Sequence, residues 1–323
     1  MTFASEHKKS ILILLVLAGV FIFVSALFEF APAEYKSKAV GVREPKKTLA
    51  TLLRINSNPP PFVLAESVFV ERLLSHEVIF AKNEDKTFAP ASLAKLMTAL
   101  LYVEGMSSLD LVSISEDAKS VLQSDEKRSR VDAGQAIKSE DLLKLMVAES
   151  DNDAAYAAAD VLVQRRETAL KDADFEARIH RFVFLMNQRG EVLGLKNTNF
   201  TNPAGKDEAE NYSSARDLAR IAEEIFIRSP QIWDTSRIIE GEIYSEDGGK
   251  YHFENTDVLL KEFPALFGSK TGFTDEAAGA LILLYELAPR DPIVVVILKS
   301  NERFNDGRAI LRWLDDSFRI QSK

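Results

Sequence analysis

The sequence has 323 residues, of which 46% are hydrophobic and 28% charged, and its formal net charge is −9. Nucleic-acid-binding proteins normally carry a basic surface, so this charge argues against a nucleic-acid partner. The chain has no cysteine, which excludes disulfides, zinc–thiolate sites and a cysteine nucleophile and leaves the redox compartment open.

An uncharged apolar run extends from Ile11 to Phe28 and would form a helix of about 27 Å, close to the thickness of a bilayer core. Lysines precede the run and glutamates follow it, which predicts a cytoplasmic tail over residues 1–10 and an extracytoplasmic remainder. Small residues at 24–26 and 31–33 leave a cleaved signal sequence as the alternative. The run exceeds a usual signal core, so a transmembrane anchor in the lipid membrane is favoured.

Residues 29–61 mix lysines, prolines and polar side chains without a helical or strand period, which predicts a linker. Residues 62–323 are expected to form one domain. In chain order, its predicted elements are strands at 62–72 and 77–82, helices at 90–105, 141–163, 176–189 and 215–228, a hairpin of strands at 278–287 and 292–299, and a helix at 309–318. Strands at both ends with helices between them predict an α+β fold, in which both ends contribute to one antiparallel sheet.

The first candidate motif is Ser92 with Lys95, three residues apart and therefore on one face of the helix that starts at residue 90. Serine is a poor nucleophile unless a base lies within hydrogen-bond reach, and a desolvated lysine can be that base. The N–H of Ser92 is also one of the free donors of a helix start, which suits an oxyanion. A plain N-cap serine is the alternative for this segment alone, because the same spacing recurs at residues 5/8 and 124/127.

Two further polar patterns follow in the chain. Ser150 and Asn152 interrupt the apolar helix predicted over 141–163, and such a break costs stability unless its side chains are satisfied or used. The alternative is a loop between two helices. Lys270, Thr271 and Gly272 offer a cation, a hydroxyl and room for close backbone approach, which suits an extended peptide with a carboxylate. The alternative is an exposed turn.

Taken together and in this order, the three patterns resemble the serine penicillin-recognising enzymes. The flanking sequence is similar to the D-alanyl-D-alanine carboxypeptidase family, the low-molecular-mass penicillin-binding proteins. The similar stretches are PASLAKLMTAL at 90–100, SDNDAA at 150–155, FTNPAG at 200–205, YSSARDL at 212–218 and KTGFT at 270–274. The resemblance runs from about residue 62 to residue 318.

The resemblance implies a β-lactamase/D,D-peptidase-like α+β fold, with a five-stranded antiparallel sheet flanked by helices and an added helical lobe. It also implies a serine D-Ala-D-Ala carboxypeptidase that acts on peptidoglycan stem peptides through an acyl-enzyme, with β-lactams as covalent inhibitors and without a metal or organic cofactor. The implied roles are Ser92 as nucleophile, Lys95 as general base, Ser150 as proton relay, Asn152 as the group that positions Lys95 and substrate, Lys270, Thr271 and Gly272 as substrate-binding residues, and Phe273 as a backbone donor of the oxyanion hole.

Two positions depart from the pattern of the family. Asp151 stands where glycine is more frequent, and Lys206 stands where leucine is usual. With Asp151, the second motif resembles that of class A β-lactamases, but the deacylating Glu-x-x-x-Asn pattern of that class is missing around Glu191. Two functional alternatives remain: a D,D-endopeptidase that uses the same residues, and a binding protein with a degenerate site. A Ser-His-Asp hydrolase and a zinc peptidase lack their motifs.

Overall fold

The computed structural model describes residues 51–121, 130–287 and 292–321, all of which belong to the unit that spans Arg43–Lys323. The strands are β1 Thr51–Arg54, β2 Ser67–Arg72, β3 Val78–Lys82, β4 Thr87–Phe88, β5 Leu111–Ser113, β6 Ala136–Lys138, β7 Ser213–Ser214, β8 Glu240–Tyr244, β9 Lys250–Glu254, β10 Leu266–Thr274, β11 Ala278–Glu286, β12 Pro292–Ser300 and β13 Phe318–Gln321. The helices are α1 Lys95–Gly105, α2 Glu116–Ser120, α3 Ser139–Lys144, α4 Asn152–Arg166, α5 Phe175–Val192, α6 Ala215–Arg228, α7 Gln231–Ser236 and α8 Arg303–Ser317.

The central sheet is antiparallel and has five strands in the order β10-β11-β12-β2-β3. Strand β12, from the C-terminal part of the chain, pairs with β2, from the N-terminal part, so that Val295 lies opposite Val70. The prediction that both ends of the domain contribute to one antiparallel sheet is therefore confirmed.

The two faces of this sheet are covered by different helices. Successive side chains of a strand point to opposite faces. In β2, Val68 and Val70 accordingly join a core with Ile310 and Leu314 of α8, whereas Phe69 joins the larger core on the other face. The larger core includes α1, α4 and α6, so helices flank the sheet and a helical lobe extends from one face, as predicted.

Helix α1 lies at the centre of the larger core. All of its residues from Lys95 to Tyr102 are buried. A helix that is apolar around most of its circumference must be enclosed by other elements, and α1 packs against α4, α5 and α6. The start of α1, which carries the first predicted motif, is thereby held between the sheet and the helical lobe.

Several predicted boundaries differ from the structure, and three of them have a clear physical reason. Strand β2 begins at Ser67 rather than at residue 62, because the N–H groups of Leu64 and Ala65 donate to the Asp306 carboxylate instead of to a neighbouring strand. Helix α8 begins six residues earlier than predicted, at Arg303, since its polar first turn carries this buried Asp306. Phe318 leaves the helix and begins β13.

The linker predicted over residues 29–61 is wrong for its last part. Residues Thr51–Arg54 form β1, which pairs with β13 from the far end of the chain. The carbonyl of Asn58 also accepts a hydrogen bond from Trp313 Nε1 at 3.2 Å. Four residues are too few to show a strand period, and their partner lies more than 260 residues away. Residues 29–50 lie outside the described residues.

Within the part of the chain that the structure describes, no helix has both the length and the apolar character needed to cross a membrane. The anchor predicted at 11–28 and the tail predicted at 1–10 lie outside that part.

Candidate active site

Ser92 lies in a tight 3-10 turn, Ala91–Ala94, that leads into α1. Ala91 has a left-handed backbone with φ 47°. Its carbonyl packs against Gly205, where a Cβ atom would lie only 1.8 Å from the Ala91 oxygen, so glycine is required there. The turn keeps Leu93 and Ala94 in the core and presents Ser92 at the edge of the helical lobe.

Lys95 is the first residue of α1 and is fully buried. Its Nζ lies 2.9 Å from Ser92 Oγ, 2.6 Å from Asn152 Oδ1 and 2.8 Å from the carbonyl oxygen of Ala204. These contacts fix the position of Nζ beside the serine hydroxyl. The structure thus brings Asn152, which is distant in the sequence, to the neighbouring pair Ser92 and Lys95, and it adds a backbone acceptor that the sequence did not indicate.

The polar interruption at residues 149–152 separates a π-helical turn, Leu145–Glu149, from helix α4. Ser150 has a left-handed backbone with φ 67°, which the hydrogen-bonding capacity of a small polar residue makes tolerable. Asp151 is the N-cap of α4, and its Oδ1 accepts from Ala154 N at 3.0 Å. Asp151 therefore starts the helix, while its neighbours Ser150 and Asn152 line the cleft beside Ser92.

Strand β10 forms the opposite wall and carries the third motif. Lys270 is buried, and its Nζ donates to Ser150 Oγ at 2.8 Å and to the Thr271 carbonyl at 3.0 Å. At Gly272 an added Cβ would lie 2.9 Å from Ala91 Cβ and 3.1 Å from Ser92 N. The missing side chain at this position therefore lets the strand approach the serine turn closely.

Phe273 follows in the same strand, with its side chain largely exposed at 61% of its surface. It lies opposite Gly279 in β11. Its ring contacts Arg303, whose guanidinium carbon lies 5.6 Å from the ring centroid. The peptide unit of Phe273 is thus fixed in the sheet beside the Ser92 turn.

The cleft between these elements has a volume of about 640 Å³, which is sufficient for a short peptide. Its lining combines the predicted motifs with residues from three other segments. The lining residues are Ser92, Ser150, Asn152, Lys206, Asp207, Glu208, Thr256, Thr271, Gly272, Phe273, Thr274, Asp275 and Arg303.

Arg303 and Thr256 are among the lining residues that were missed in the sequence. Arg303 is the first residue of α8, and burial lowers the pKa of its guanidinium, an effect that Asp257 partly opposes. Thr256 follows β9, and its Oγ1 lies 2.5 Å from Thr271 Oγ1. Neither residue belongs to a recognisable motif, because only the folded chain brings these segments to the cleft.

The cleft has a charge pattern that suits an anionic group. The cationic side chain of Lys270 lies at its base, and that of Arg303 lies in its wall. The exposed carboxylates of Asp207, Glu208 and Asp275 lie along its rim, together with the less exposed Lys206. An anion that enters the cleft is therefore attracted towards the base rather than held at the rim.

Other catalytic arrangements find no support among residues 51–121, 130–287 and 292–321. No group of three or more histidine, cysteine or acidic side chains is placed to hold a metal ion. None of the histidines in these ranges lines the cleft: His76 contacts Arg220 at 2.7 Å, and His180 lies 3.9 Å from Glu176.

Comparison with known proteins identifies the family. Residues 55–301 match the model of peptidase family S11, described as D-alanyl-D-alanine carboxypeptidase. This chain belongs to that family. The resemblance inferred from the motifs is thereby confirmed.

Individual relatives show how far the similarity to this family extends. The chain is 31% identical over 257 residues to the D-alanyl-D-alanine carboxypeptidase DacF of Bacillus subtilis, with 78% of this chain and 61% of that protein covered. It is 27% identical over 290 residues to a D-alanyl-D-alanine endopeptidase of Pseudomonas aeruginosa, with coverage of 83% and 85%. The chain thus spans about three-fifths of the length of the carboxypeptidases that it matches.

Solved structures support the fold of the family. The crystal structure of the Streptomyces K15 DD-transpeptidase aligns with a TM-score of 0.70 at 22% identity, covering 79% of this chain and 98% of that chain. At this level of identity the comparison shows a shared fold and does not by itself assign an activity.

Proposed function

We propose that this protein is a serine D-Ala-D-Ala carboxypeptidase that shortens peptidoglycan stem peptides through an acyl-enzyme. The observation that carries the proposal is the contact between Ser92 Oγ and Lys95 Nζ, 2.9 Å long, in a cleft whose opposite wall holds Lys270. Family membership supports it, because the matched family model is described by this activity.

In the acylation step, Ser92 Oγ bonds to the carbonyl carbon of the penultimate D-alanine while its proton passes to a neutral Lys95 Nζ. Asn152 Oδ1, 2.6 Å from Nζ, holds the amine in line with the hydroxyl. A base already within hydrogen-bond distance needs no rearrangement before the proton transfer. The negative charge that develops on the substrate oxygen is taken up by the backbone N–H groups of Ser92 and Phe273.

Collapse of this intermediate breaks the C–N bond, and the electron pair goes to the nitrogen of the terminal D-alanine. Ser150 relays to that nitrogen the proton that Lys95 took from Ser92, which leaves Lys95 neutral again. The Ser150 hydroxyl lies in the cleft and accepts a hydrogen bond from Lys270 Nζ at 2.8 Å. Water then attacks the ester with Lys95 again as the base, which releases the shortened peptide and restores the Ser92 hydroxyl.

The terminal carboxylate of the substrate is the group that the cationic wall would bind. Lys270 and Thr271 lie on β10, and Arg303 faces the same cleft from α8. Hydrogen bonds to a charged group are worth more than neutral ones, so these groups favour a peptide with a free C-terminus. A β-lactam would acylate Ser92 in the same way, because its ring amide resembles the scissile bond.

The substrate also fits the location proposed for the protein. An anchor at residues 11–28 with lysines on its N-terminal side would leave the enzymatic domain on the outer side of the cytoplasmic membrane. Peptidoglycan lies on that side, so the domain would be held near its substrate. Extraction of the protein from membranes by detergent but not by high salt would support the anchor, and release by salt alone would contradict it.

Release of D-alanine from a synthetic stem pentapeptide tests the proposed activity directly. The wild-type protein should release one D-alanine per peptide, and Ser92→Ala should release none. Ser120→Ala is a matched control, because this serine lies on the exposed helix α2. Failure of the wild-type protein, or activity of Ser92→Ala, would refute the proposal.

D,D-endopeptidase activity is the second candidate, and one observation favours it. The D-alanyl-D-alanine endopeptidase of Pseudomonas aeruginosa is among the relatives of this chain, at 27% identity over 290 residues. Both activities use the same acyl-enzyme and differ in the leaving amine. Digestion of purified sacculi distinguishes them, because an endopeptidase reduces cross-linked dimers while a carboxypeptidase only shortens pentapeptides.

A further inference from the structure

Thr256 contributes a hydroxyl to the cleft that the mechanism above leaves without a role. It lies in the segment that follows β9, and it lines the cleft together with Thr271. The two hydroxyl oxygens are 2.5 Å apart, which is a short hydrogen bond between neutral groups. Thr271 itself is almost fully buried, so this contact determines much of what its hydroxyl can do.

The backbone holds Thr256 firmly in this position. Its N–H donates to the carbonyl of Ala148 at 3.2 Å, two residues before Ser150. The preceding Asn255 is tied down by its side-chain amide, which donates to the carbonyls of Ser236 at 2.7 Å and Ile238 at 2.9 Å. Thr256 therefore links the wall formed by β10 to the wall that carries Ser150, and it cannot swing away from Thr271.

Each hydroxyl has one proton, and only one of the two can lie between the oxygens. If Thr271 donated, the Thr256 proton would be left with the solvent of the cleft or with the Ala148 carbonyl, 3.5 Å away and at the limit of a hydrogen bond. That carbonyl already accepts the Thr256 N–H. The better arrangement has Thr256 donate to Thr271, which leaves the Thr271 proton available to the cleft.

We propose that Thr256 is a positioning residue that turns the Thr271 hydroxyl into a donor for a carboxylate on the leaving group. This inference rests on the proposed serine peptidase function. A chain of two hydroxyls ending on an anion is polarised in one direction, and each bond strengthens the next. Without Thr256, the Thr271 hydroxyl can rotate freely and offer lone pairs to the substrate. The expected consequence is a weaker preference for leaving groups that carry a carboxylate.

A pair of thioester substrates measures this preference. Both carry the same acyl-D-alanyl group, one with mercaptoacetate as the leaving group and the other with its methyl ester, which has no charge. Thr256→Val keeps the branched shape and removes the hydroxyl. The ratio of kcat/KM for the charged over the neutral substrate should fall about tenfold in this variant, the size expected for one hydrogen bond to a charged group. Thr256→Ser should restore the ratio, and Thr256→Ala should lower it like Thr256→Val.

Two further variants separate positioning from a general structural role. Because Thr256 acts through Thr271, adding Thr256→Val to Thr271→Val should lower the ratio no further than Thr271→Val alone. Thr98→Val is the matched control, since it removes a buried hydroxyl that bonds to the Pro203 carbonyl at 2.7 Å. It should lower the melting temperature and leave the ratio unchanged.

The inference fails if Thr256→Val, or Thr256→Ala where the valine variant does not fold, keeps the wild-type ratio. It also fails if the losses in the double variant add up, because Thr256 would then act independently of Thr271. Failure of the proposed function looks different, since the wild-type protein would then hydrolyse neither thioester.

Discussion

Ser150 combines an unfavourable backbone with a hydroxyl in the cleft. Its φ of 67° lies in the left-handed region, and its Oγ accepts from Lys270 Nζ. A serine at such a position costs about 1 kcal/mol or more relative to glycine. Local strain that persists beside a reactive group is typical of functional sites.

Substitutions at Ser150 separate the strain from the chemistry. Ser150→Gly and Ser150→Ala both remove the hydroxyl, but only alanine keeps the left-handed penalty. We expect the glycine variant to be more stable than the alanine variant by about 1 kcal/mol. Both variants should lose turnover to a similar extent, about 100-fold, because general acid–base catalysis is lost in each. Urea unfolding and D-alanine release measure the two effects, and near-normal turnover of Ser150→Gly would contradict the relay.

Asp257 is a buried carboxyl group next to the cleft. Its Oδ1 accepts from Leu259 N at 2.9 Å and caps a short helical turn. Burial raises the pKa of this carboxyl above its ordinary value of 3.8, and the Leu259 N–H, Ser269, Arg303 and Lys270 only partly oppose the rise. The ionised carboxylate is therefore less favourable in the folded protein than in the unfolded chain.

This pKa shift predicts a pH-dependent effect of Asp257→Asn. Asparagine keeps the capping oxygen and removes the charge. At pH values below 3.8 the carboxyl is protonated in both the folded and the unfolded state, so it has no charge-dependent effect. As the pH rises, it first passes the ordinary pKa of the carboxyl in the unfolded chain and then its raised pKa in the folded protein. The unfolded chain therefore ionises first, and the folded protein loses stability. Asp257→Asn should therefore raise the melting temperature at pH 7, with a gain that shrinks towards pH 4, whereas an equal gain at both pH values would contradict the assignment.

Sequence alone identified the side chains of three motifs, but only part of their surroundings. Ser92, Lys95, Ser150, Asn152 and Lys270 stand in short patterns that the chemistry of a serine nucleophile makes recognisable. The Ala204 carbonyl, Thr256 and Arg303 could not be found in this way. Their place at the cleft depends on how distant segments pack and not on residue spacing.

At the scale of the elements, the approach of the loop at Gly205 to the Ser92 turn controls the shape of the site. Gly205 has a φ of +81°, and an added Cβ would lie 1.8 Å from the Ala91 carbonyl oxygen. Gly194 has a similar φ of +72°, but nothing lies within 4 Å of its added Cβ. The two glycines thus share a backbone conformation and differ only in the contact.

This difference makes Gly194→Ala a matched control for Gly205→Ala. Gly194→Ala should cost about 1 kcal/mol of stability, from the left-handed backbone alone. Gly205→Ala should cost a further 1–3 kcal/mol, roughly, because its Cβ displaces the Ala91 carbonyl. The displaced turn carries Ser92, so acylation by penicillin should also slow in Gly205→Ala and stay unchanged in Gly194→Ala. Equal effects of the two substitutions on stability and acylation would argue against the packing described.

Element types were predictable wherever one period continued for long enough. Helix α6 and the hairpin of β11 and β12 follow their apolar patterns closely. The start of α8 was missed because its polar first turn uses Asp306 to bind the backbone of Leu64 and Ala65. Tertiary hydrogen bonds of this kind leave no period in the sequence.

At the scale of the whole molecule, the N-terminal strand stabilises the C-terminal end of the domain. Strand β1 pairs with β13, and Arg54 lies 6.0 Å from the centroid of the Phe318 ring. The Asn58 carbonyl accepts from Trp313 Nε1. These contacts lie on the α8 side of the sheet, away from the cleft residues.

Removal of this strand should lower stability without changing the chemistry. A chain that starts at residue 59 loses the β1–β13 pairing and exposes Trp313 and Phe318. We expect its free energy of unfolding to fall by about 1–3 kcal/mol relative to a chain that starts at residue 43. Penicillin acylation of the folded protein should keep its rate. An unchanged unfolding midpoint in urea would mean that β1 does not contribute to the stability of the domain.

Ser92 is the proposed nucleophile of a D,D-peptidase site, and covalent trapping with penicillin identifies the residue that is acylated. The protein is incubated with benzylpenicillin, its intact mass is measured, and the modified peptide is sequenced by mass spectrometry. One penicilloyl group per chain is predicted, located on Ser92 and absent from Ser92→Ala. An unmodified wild-type protein, or an adduct on any other residue, would rule out Ser92 as the nucleophile.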